Sequence, residues 1–385
     1  MKIFSITIVM LVQFFVLSPS FSENLFGNNS KLDQSFCVDH TIRQTVIYVD
    51  DTMLVSGQNG WLRSIYEKLT ATLVPGERTT LVELSPSTGQ SFERWSGCWP
   101  AYTSEEMANL TTQRSFFSAN PLVALKTQQN LFAHELGVAV ENIEKNHARP
   151  KEQVVIDQNN PPTQSILRTL VSDGARYSHS QETIRAIFYS DLAENSDLGS
   201  IFKPLPQPIA DYGTKLGIFL RRSVFYIFGL GTVIKGNGSV QDEIREFWTS
   251  AFQSMAANVG GMGTDLNVPN ILPVAARNFD VLLENGDSRL SGRLSLLVGK
   301  DGTLVDSWLG IVRLHTAALN GTYVCTGLAD APSCTLQADT ASGIVTTSPS
   351  ETVSLSSHDS PKMSGTIGVQ GSDVHLPLAA DPAKN

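Results

Sequence analysis

The sequence has little cysteine and no excess of basic residues. Among its 385 residues only four are cysteines, and 28 lysines and arginines are outnumbered by 37 aspartates and glutamates, giving a formal net charge of -9. Nucleic-acid binding rests largely on lysines and arginines that neutralise phosphates, and this chain has no basic patch to supply them. The sequence therefore predicts a protein without a nucleic-acid partner.

Several motifs of catalysis and cofactor binding are also absent from the sequence. It contains no G-x-S-x-G elbow, no H-E-x-x-H pair and no Walker loop. The stretch FGLGTVIKGNGS is rich in glycine, but its spacing misses the dinucleotide fingerprint G-x-G-x-x-G. We therefore expect neither a nucleotide site nor an enzyme.

Long apolar runs are missing after the N-terminus, where the chain begins MKIFSITIVMLVQFFVLSPSFS. One lysine, an apolar core and small residues before Glu23 are typical of a signal peptide over residues 1–22, cleaved after Ser22. An uncleaved anchor is the alternative, but Gln13 and Pro19 leave the segment short of the roughly 20 apolar residues of a spanning helix. We expect an exported chain, periplasmic or secreted, with no membrane span after cleavage.

The four cysteines of an exported chain predict two disulfides, for which three pairings are possible. Cys325 and Cys334 flank the turn-like TGLADAPS, which favours a local bridge and leaves Cys37 to pair with Cys98. Metal ligation is the rival use, but there is no C-x-x-C and the seven histidines are scattered.

The sequence divides into two regions after a lead-in over residues 23–40. Residues 41–268 alternate strand-like and helix-like segments, with a helical insertion at about 103–160. TVIYVD is an unbroken apolar run typical of a buried parallel strand, a helix is predicted to start near Thr163, and QDEIREFWTSAFQSMAANVGG predicts a final amphipathic helix. We predict an α/β fold with a doubly wound, mainly parallel sheet.

Residues 271–385 have a different character. Alternating apolar positions and turn signals at NGD and KDG indicate antiparallel strands, and Ser, Thr and Gly become frequent. This region predicts a small all-β domain, either a sandwich or a partial barrel, with a loose Ser/Thr-rich end.

Acidic and hydroxyl side chains follow the predicted strands of the first region. In an open α/β sheet, ligands bind beyond the carboxyl ends of the strands, where the strand order reverses. Such oxygen donors suit Mg²⁺ or Mn²⁺. The candidates are Asp50, Asp51, Thr52, Thr163, Ser165 and Asp191.

The order of elements around YVDDTML, PPTQS and FYSDLAENSD resembles a von Willebrand factor A-like domain over roughly residues 41–265. The resemblance implies a metal-ion-dependent adhesion site with the ligands Asp50, Thr52, Thr163 and Asp191, and with Asp51 and Ser165 beside them. The last hydroxyl of the family's D-x-S/T-x-S segment is replaced by Leu54, so the site is degenerate.

Each of these residues also has a structural interpretation. Asp50 and Asp191 could satisfy loop amides at strand ends, Thr163 could cap a helix, and Asp51 could face solvent. Trp61 and Trp248 are predicted to lie in the core.

Three functions remain open from the sequence. The first is an exported module for adhesion or envelope assembly that binds a protein partner, with possible dependence on Mg²⁺ or Mn²⁺. The second is a phosphoryl-transfer or other hydrolytic enzyme that uses Asp50, Asp51 and Asp191, although these adjacent acids depart from D-x-D. The third is a metal-free structural component of the envelope. We favour the first, since it needs no nucleophile or general base.

Overall fold

The computed structural model consists of a mixed sheet with helices, followed by a separate eight-stranded antiparallel β-barrel. It describes residues 31–37, 41–58, 60–112, 121–179, 182–202, 211–235, 239–328, 331–342, 344–345, 350–369 and 375–383. The predicted signal peptide, residues 1–22, lies outside the described residues, as does most of the lead-in.

The first region is built on a six-stranded sheet. Its strands are β1 (Arg43–Asp50), β2 (Arg78–Ser85), β3 (Gln90–Cys98), β5 (Thr183–Tyr189), β6 (Ser223–Phe228) and β8 (Asn258–Met262), in the order β3-β2-β1-β5-β6-β8. Every neighbouring pair runs parallel except β2 and β3. Two short strands, β4 (Ile156–Asp157) and β7 (Ile234–Lys235), form a separate parallel pair. The α/β prediction is confirmed, with a sheet that is only partly parallel.

Helices cover both faces of this sheet. They are α1 (Gly60–Thr70), α2 (Ser104–Thr112), α3 (Pro121–His147), α4 (Ile166–Ser172), α5 (Gly174–His179), α6 (Tyr212–Leu216) and α7 (Ser239–Ser254). Side chains of β1 alternate between two cores, because successive residues of a strand point to opposite faces. Val46 and Tyr48 pack in the core that contains α4 and α7, whereas Ile47 and Val49 pack with α1 and α3. An unbroken apolar strand results, as the sequence predicted.

Two helix boundaries differ from the sequence predictions. Helix α4 begins at Ile166, and Ser165 caps it by accepting a hydrogen bond from the amide of Arg168, so it does not start near Thr163. The final helix ends at Ser254, and the following Asn-Val-Gly-Gly forms strand β8. The glycines serve close packing there, since a Cβ at Gly260 would lie 2.6 Å from the Tyr226 ring.

The second region is a closed barrel. Its strands are β9 (Pro273–Asn285), β10 (Ser288–Gly299), β11 (Leu304–Ile311), β12 (Thr316–Leu328), β13 (Ala331–Thr340), β14 (Thr352–Ser356), β15 (Met363–Gly368) and β16 (His375–Pro382). Both predicted hairpin turns are present, between β9 and β10 and between β10 and β11. The prediction of an all-β second region is confirmed. Its strands form a closed barrel instead of a sandwich or partial barrel, because the last strand pairs with β9.

Both predicted disulfides are present. Cys37 pairs with Cys98 and joins the lead-in to the end of β3, while Cys325 pairs with Cys334 between facing positions of β12 and β13. Two disulfides fit an oxidising, extracellular environment. Among the described helices, none has both the length and the apolar character needed to cross a bilayer.

A buried set of charged residues lies at the amino ends of the strands, where the sheet meets the barrel. We call Arg43, Glu77, Arg185, Tyr226 and Asp306 the junction network. Arg43 donates to both carboxylate oxygens of Glu77, at 3.0 and 2.9 Å, and to Asp306 Oδ2 at 2.6 Å. Arg185 Nη2 lies 3.2 Å from Glu77 Oε1, and the Tyr226 hydroxyl donates to Asp306 Oδ1 at 2.7 Å.

Candidate functional site

Asp50 lies at the carboxyl end of β1, where a 3₁₀ turn over Asp51–Met53 begins. The Thr52 amide and hydroxyl donate to Asp50 Oδ1 at 2.9 and 2.6 Å, and the Ser190 hydroxyl donates to Asp50 Oδ2 at 2.7 Å. Burial raises the pKa of Asp50, and these hydrogen bonds oppose the rise. This carboxylate therefore performs the capping role and also brings the end of β1 against the end of β5.

Asp191 follows β5 and lies near Asp50, fully buried. Its Oδ1 accepts a hydrogen bond from the Ala193 amide at 3.0 Å, while its Oδ2 is buried without a hydrogen-bond partner in the described part of the chain. Burial and the nearby charge of Asp50 raise the pKa of Asp191. Two buried carboxyl groups that lie near each other repel when both are charged. A shared proton or a bound cation stabilises such a pair.

The remaining residues of the predicted ligand set lie in different surroundings. Thr52 is next to Asp50, whereas Thr163 is exposed, so its role as a ligand stays a prediction. Leu54 is buried in the core beside α1. Ser165 is buried at the start of α4, where its hydroxyl lies 3.3 Å from Glu194 Oε1.

Glu194 is a further buried carboxylate close to this edge of the sheet. The amide of Leu167 donates to Oε2 at 3.0 Å, and the hydroxyl of Ser196 donates to Oε1 at 2.5 Å. Burial raises the pKa of Glu194 to about 7, against the opposing effect of these donors. Glu194 was not among the candidate residues predicted from the sequence, although it lies only three residues after Asp191.

Asp51 belongs to a second group of side chains at the same edge. Potential ligand atoms of Asp51, Glu83 and His147 all lie within 4.8 Å of one another. His147 Nε2 is 3.1 Å from Glu83 Oε1, and His147 Nδ1 is 4.0 Å from Asp51 Oδ2. Asp51 Oδ1 is buried without a hydrogen-bond partner among the described residues. This group could hold a metal ion.

Asp51 was expected either to face solvent or to lie beside the ligands. It does not face solvent, because its side chain is only 6 % exposed. Burial raises the pKa of Asp51, while the Ser85 hydroxyl and the nearby His147 and Arg149 lower it. Glu83 and His147 were not predicted from the sequence as partners of Asp51. The sequence shows only a single acid, Glu83, in the buried strand RTTLVELS. No short-range pattern connects this acid with His147, which lies 64 positions later.

A crevice of about 520 Å³ opens at the carboxyl ends of β1, β5 and β6. Trp61, Tyr189 and Phe228 form a stacked series along its wall, with ring centroids 5.0 and 4.8 Å apart. Burial raises the pKa of Tyr189 to about 12, and the carboxylates of Asp50 and Asp191 contribute to the rise. Lys151 and Asp265, both exposed, also line the crevice.

Comparisons with known proteins find no protein-family model that matches this sequence and no curated protein that matches it significantly.

Proposed function

We propose that this chain is an exported protein-binding module that takes its partner at the carboxyl edge of the sheet, in the manner of a von Willebrand factor A-like domain. The observation that carries the proposal is that Asp50 and Asp191, from the ends of β1 and β5, lie together where the strand order reverses. A doubly wound sheet places its ligands at that position.

The crevice beside these carboxylates supplies the contact surface. Its aromatic wall offers large apolar side chains of the type that dominates binding energy in protein interfaces. Gln58 and Lys151 add polar groups at positions exposed to a partner. We expect a partner that packs an apolar side chain against Tyr189 and forms hydrogen bonds with Gln58 and Lys151.

Mg²⁺ or Mn²⁺ would be held by Asp50, Thr52 and Asp191. The unpartnered Oδ2 of Asp191 fits a hard cation, which would neutralise the two buried carboxylates. Replacing Asp191 with Asn removes the negative charge while keeping the side-chain shape, which makes it the matched variant for testing metal dependence.

Site-specific photo-crosslinking in the native host tests the proposal. A photoreactive phenylalanine derivative at Gln58, on the crevice, should form a discrete adduct with one protein, whereas the same group at the exposed Arg289 of the barrel should not. Lys151→Glu should weaken that adduct. Equal adducts from both positions, or none from Gln58, would contradict binding at the crevice.

A metal-free scaffold is the second candidate, and the contacts of Asp50 and Leu54 favour it. Both oxygens of Asp50 already accept hydrogen bonds, and Leu54 fills the position of a hydroxyl ligand. Calorimetric titration of Mg²⁺ into chelator-treated protein distinguishes the two. Heat that is lost in Asp191→Asn supports the metal-dependent form, and a crevice adduct formed without any Mg²⁺ heat supports the scaffold.

A further inference from the structure

We propose that Asp51, Glu83 and His147 form a binding site for a divalent transition metal, Zn²⁺ foremost, that fastens the end of helix α3 to the sheet. This site is distinct from the Asp50 and Asp191 pair, and it does not depend on the proposed protein-binding function.

Three separate elements bring the ligands together. Asp51 opens the 3₁₀ turn after β1, Glu83 lies near the end of β2, and His147 is the last residue of α3. The chain after α3 is attached to the chain after that turn: the Arg149 amide donates to the Leu54 carbonyl at 3.1 Å, and the Ser56 amide donates to the Arg149 carbonyl at 3.0 Å. These backbone bonds hold the imidazole over the two carboxylates.

The second carboxylate is oriented by a neighbouring strand. Arg94 of β3 donates from Nε to Glu83 Oε2 at 2.7 Å, which leaves Oε1 directed to His147 at 3.1 Å. A ligand whose other oxygen is held in this way is preorganised for binding, as metal ligands commonly are.

An unsatisfied oxygen gives an independent sign that a ligand is missing from this group. The Asp51 side chain is 94 % buried, because only 6 % of it is exposed, yet its Oδ1 accepts no hydrogen bond from the described residues. A buried acceptor without a partner costs roughly 1 to 3 kcal/mol, and more when it is charged. A dication beside this carboxylate removes that cost and also separates two carboxylates that otherwise repel each other.

The donor set decides the class of metal. One imidazole nitrogen and two carboxylate oxygens suit Zn²⁺, Mn²⁺ or Co²⁺, whereas Mg²⁺ and Ca²⁺ prefer oxygen donors alone. Three protein ligands leave one tetrahedral position for water. His147, whose side chain is 32 % exposed, gives the ion a route from solvent.

Calorimetric titration of ZnCl₂ and MgCl₂ into the chelator-treated full chain tests the proposal, with Co²⁺ absorption as a spectroscopic readout. We expect one Zn²⁺ per chain, no comparable heat from Mg²⁺ at this site, and a visible Co²⁺ spectrum. His147→Ala and Asp51→Asn should each weaken Zn²⁺ binding at least about tenfold.

Two matched variants serve as controls. His134→Ala removes another histidine of helix α3, and Asp191→Asn removes one carboxylate of the Asp50 and Asp191 pair. Zn²⁺ binding should be unchanged in both variants. His147→Ala is the decisive variant, because His147 is partly exposed and its loss leaves the buried ligands in place. Should Asp51→Asn fail to fold, His147→Ala alone decides.

Three results would overturn the proposal: no Zn²⁺ heat at millimolar metal, full binding in His147→Ala, or loss of binding in Asp191→Asn as large as in His147→Ala. The last result would place the metal at Asp50 and Asp191 instead. Crosslinking from Gln58 tests the protein-binding function and does not depend on Zn²⁺ binding. Failure of the metal site can therefore be distinguished from failure of the protein-binding function.

Discussion

The two ends of the α/β sheet bury charged side chains in opposite ways. At the amino end, the two arginines of the junction network face Glu77 and Asp306, and direct hydrogen bonds join the opposite charges. At the carboxyl end, Asp50 and Asp191 are buried side by side and Asp191 Oδ2 has no hydrogen-bond partner in the described part of the chain. Opposite charges pair at the first end, whereas no ion pair of Asp50 or Asp191 is present among the residues that the structure describes.

Buried charged side chains that pair with each other differ in their effect on stability from buried carboxylates that have no such partner. Charges that neutralise one another can hold two domains together, whereas uncompensated carboxylates cost stability and are retained where a ligand or partner completes them. The junction network, with a contribution from the barrel, has the first character. The carboxyl edge, beside an open crevice, is where the proposed function places a partner.

We expect the largest effect on stability from a variant that disrupts the junction network at the amino end of the sheet. Asp306→Ala leaves Arg43 buried with one of its two carboxylate partners missing, so the free energy of unfolding should fall by about 3 to 5 kcal/mol. Urea unfolding followed by tryptophan fluorescence measures the change. Asp287→Ala, in an exposed turn of the barrel, should change stability by less than about 0.5 kcal/mol. Equal effects of the two variants would show that the junction network does not stabilise the fold.

The next effect concerns pH at the carboxyl end. The folded pKa of Glu194 is about 7, above its ordinary value of 4.5, so the native state binds more protons between these values. Its contribution to stability is therefore largest at low pH and declines as pH rises toward about 7, by up to roughly 3 kcal/mol.

Glu194→Gln should remove that decline. The variant should be more stable than the natural chain above about pH 8, where Glu194 is a buried charge, and similar to it near about pH 4.5, where the folded Glu194 is protonated and neutral like the amide. Chemical unfolding at several pH values provides the measurement. Parallel pH profiles for the two proteins would contradict the prediction.

A smaller effect is expected from Asp191→Asn, measured in chelator. Because burial and Asp50 raise the pKa of Asp191, the neutral amide should stabilise the fold by about 1 to 2 kcal/mol in mildly alkaline buffer. Thermal melting tests this. Destabilisation by the variant would mean that the carboxyl end is compensated like the amino end. Stabilisation of the natural chain alone by added Mg²⁺ would place a cation at the pair.

The smallest effect is expected from Ser190→Ala. It removes a hydrogen bond to Asp50 Oδ2 and the acceptor of the Leu192 amide, so stability should fall by about 1 kcal/mol. In the double variant with Asp50→Asn the loss should be smaller, since the charged acceptor is gone. Additive losses, measured by a double-mutant cycle, would show that the Ser190 to Asp50 bond contributes nothing of its own.

Local patterns predicted much of the fold. The apolar run before Asp50 gave β1, and the signals at NGD and KDG gave two barrel turns. These features depend on residues close in sequence. The predicted helix extended through Gly261, but Asn258–Met262 is a strand in which Gly260 packs against the Tyr226 ring.

Only the part of the site formed by residues at the carboxyl ends of strands could be predicted from the sequence. The proximity of Asp50 and Asp191 follows from neighbouring parallel strands whose carboxyl ends share an edge. The proximity of His147 to Glu83 depends on how a 27-residue helix returns to the sheet, and barrel closure depends on pairing between β16 and β9. Neither leaves a short-range pattern in the sequence.

The ion pair between Arg43 and Asp306 joins residues 263 positions apart, and this separation affects the order of events during synthesis. Ribosomes deliver the amino-terminal region first, so Arg43, Arg185 and Glu77 are made while Asp306 does not yet exist. Until the first barrel strands arrive, those three side chains carry one unbalanced positive charge where they are to be buried. Neutralisation of the amino end of the sheet therefore depends on strand β11 of the barrel, which carries Asp306.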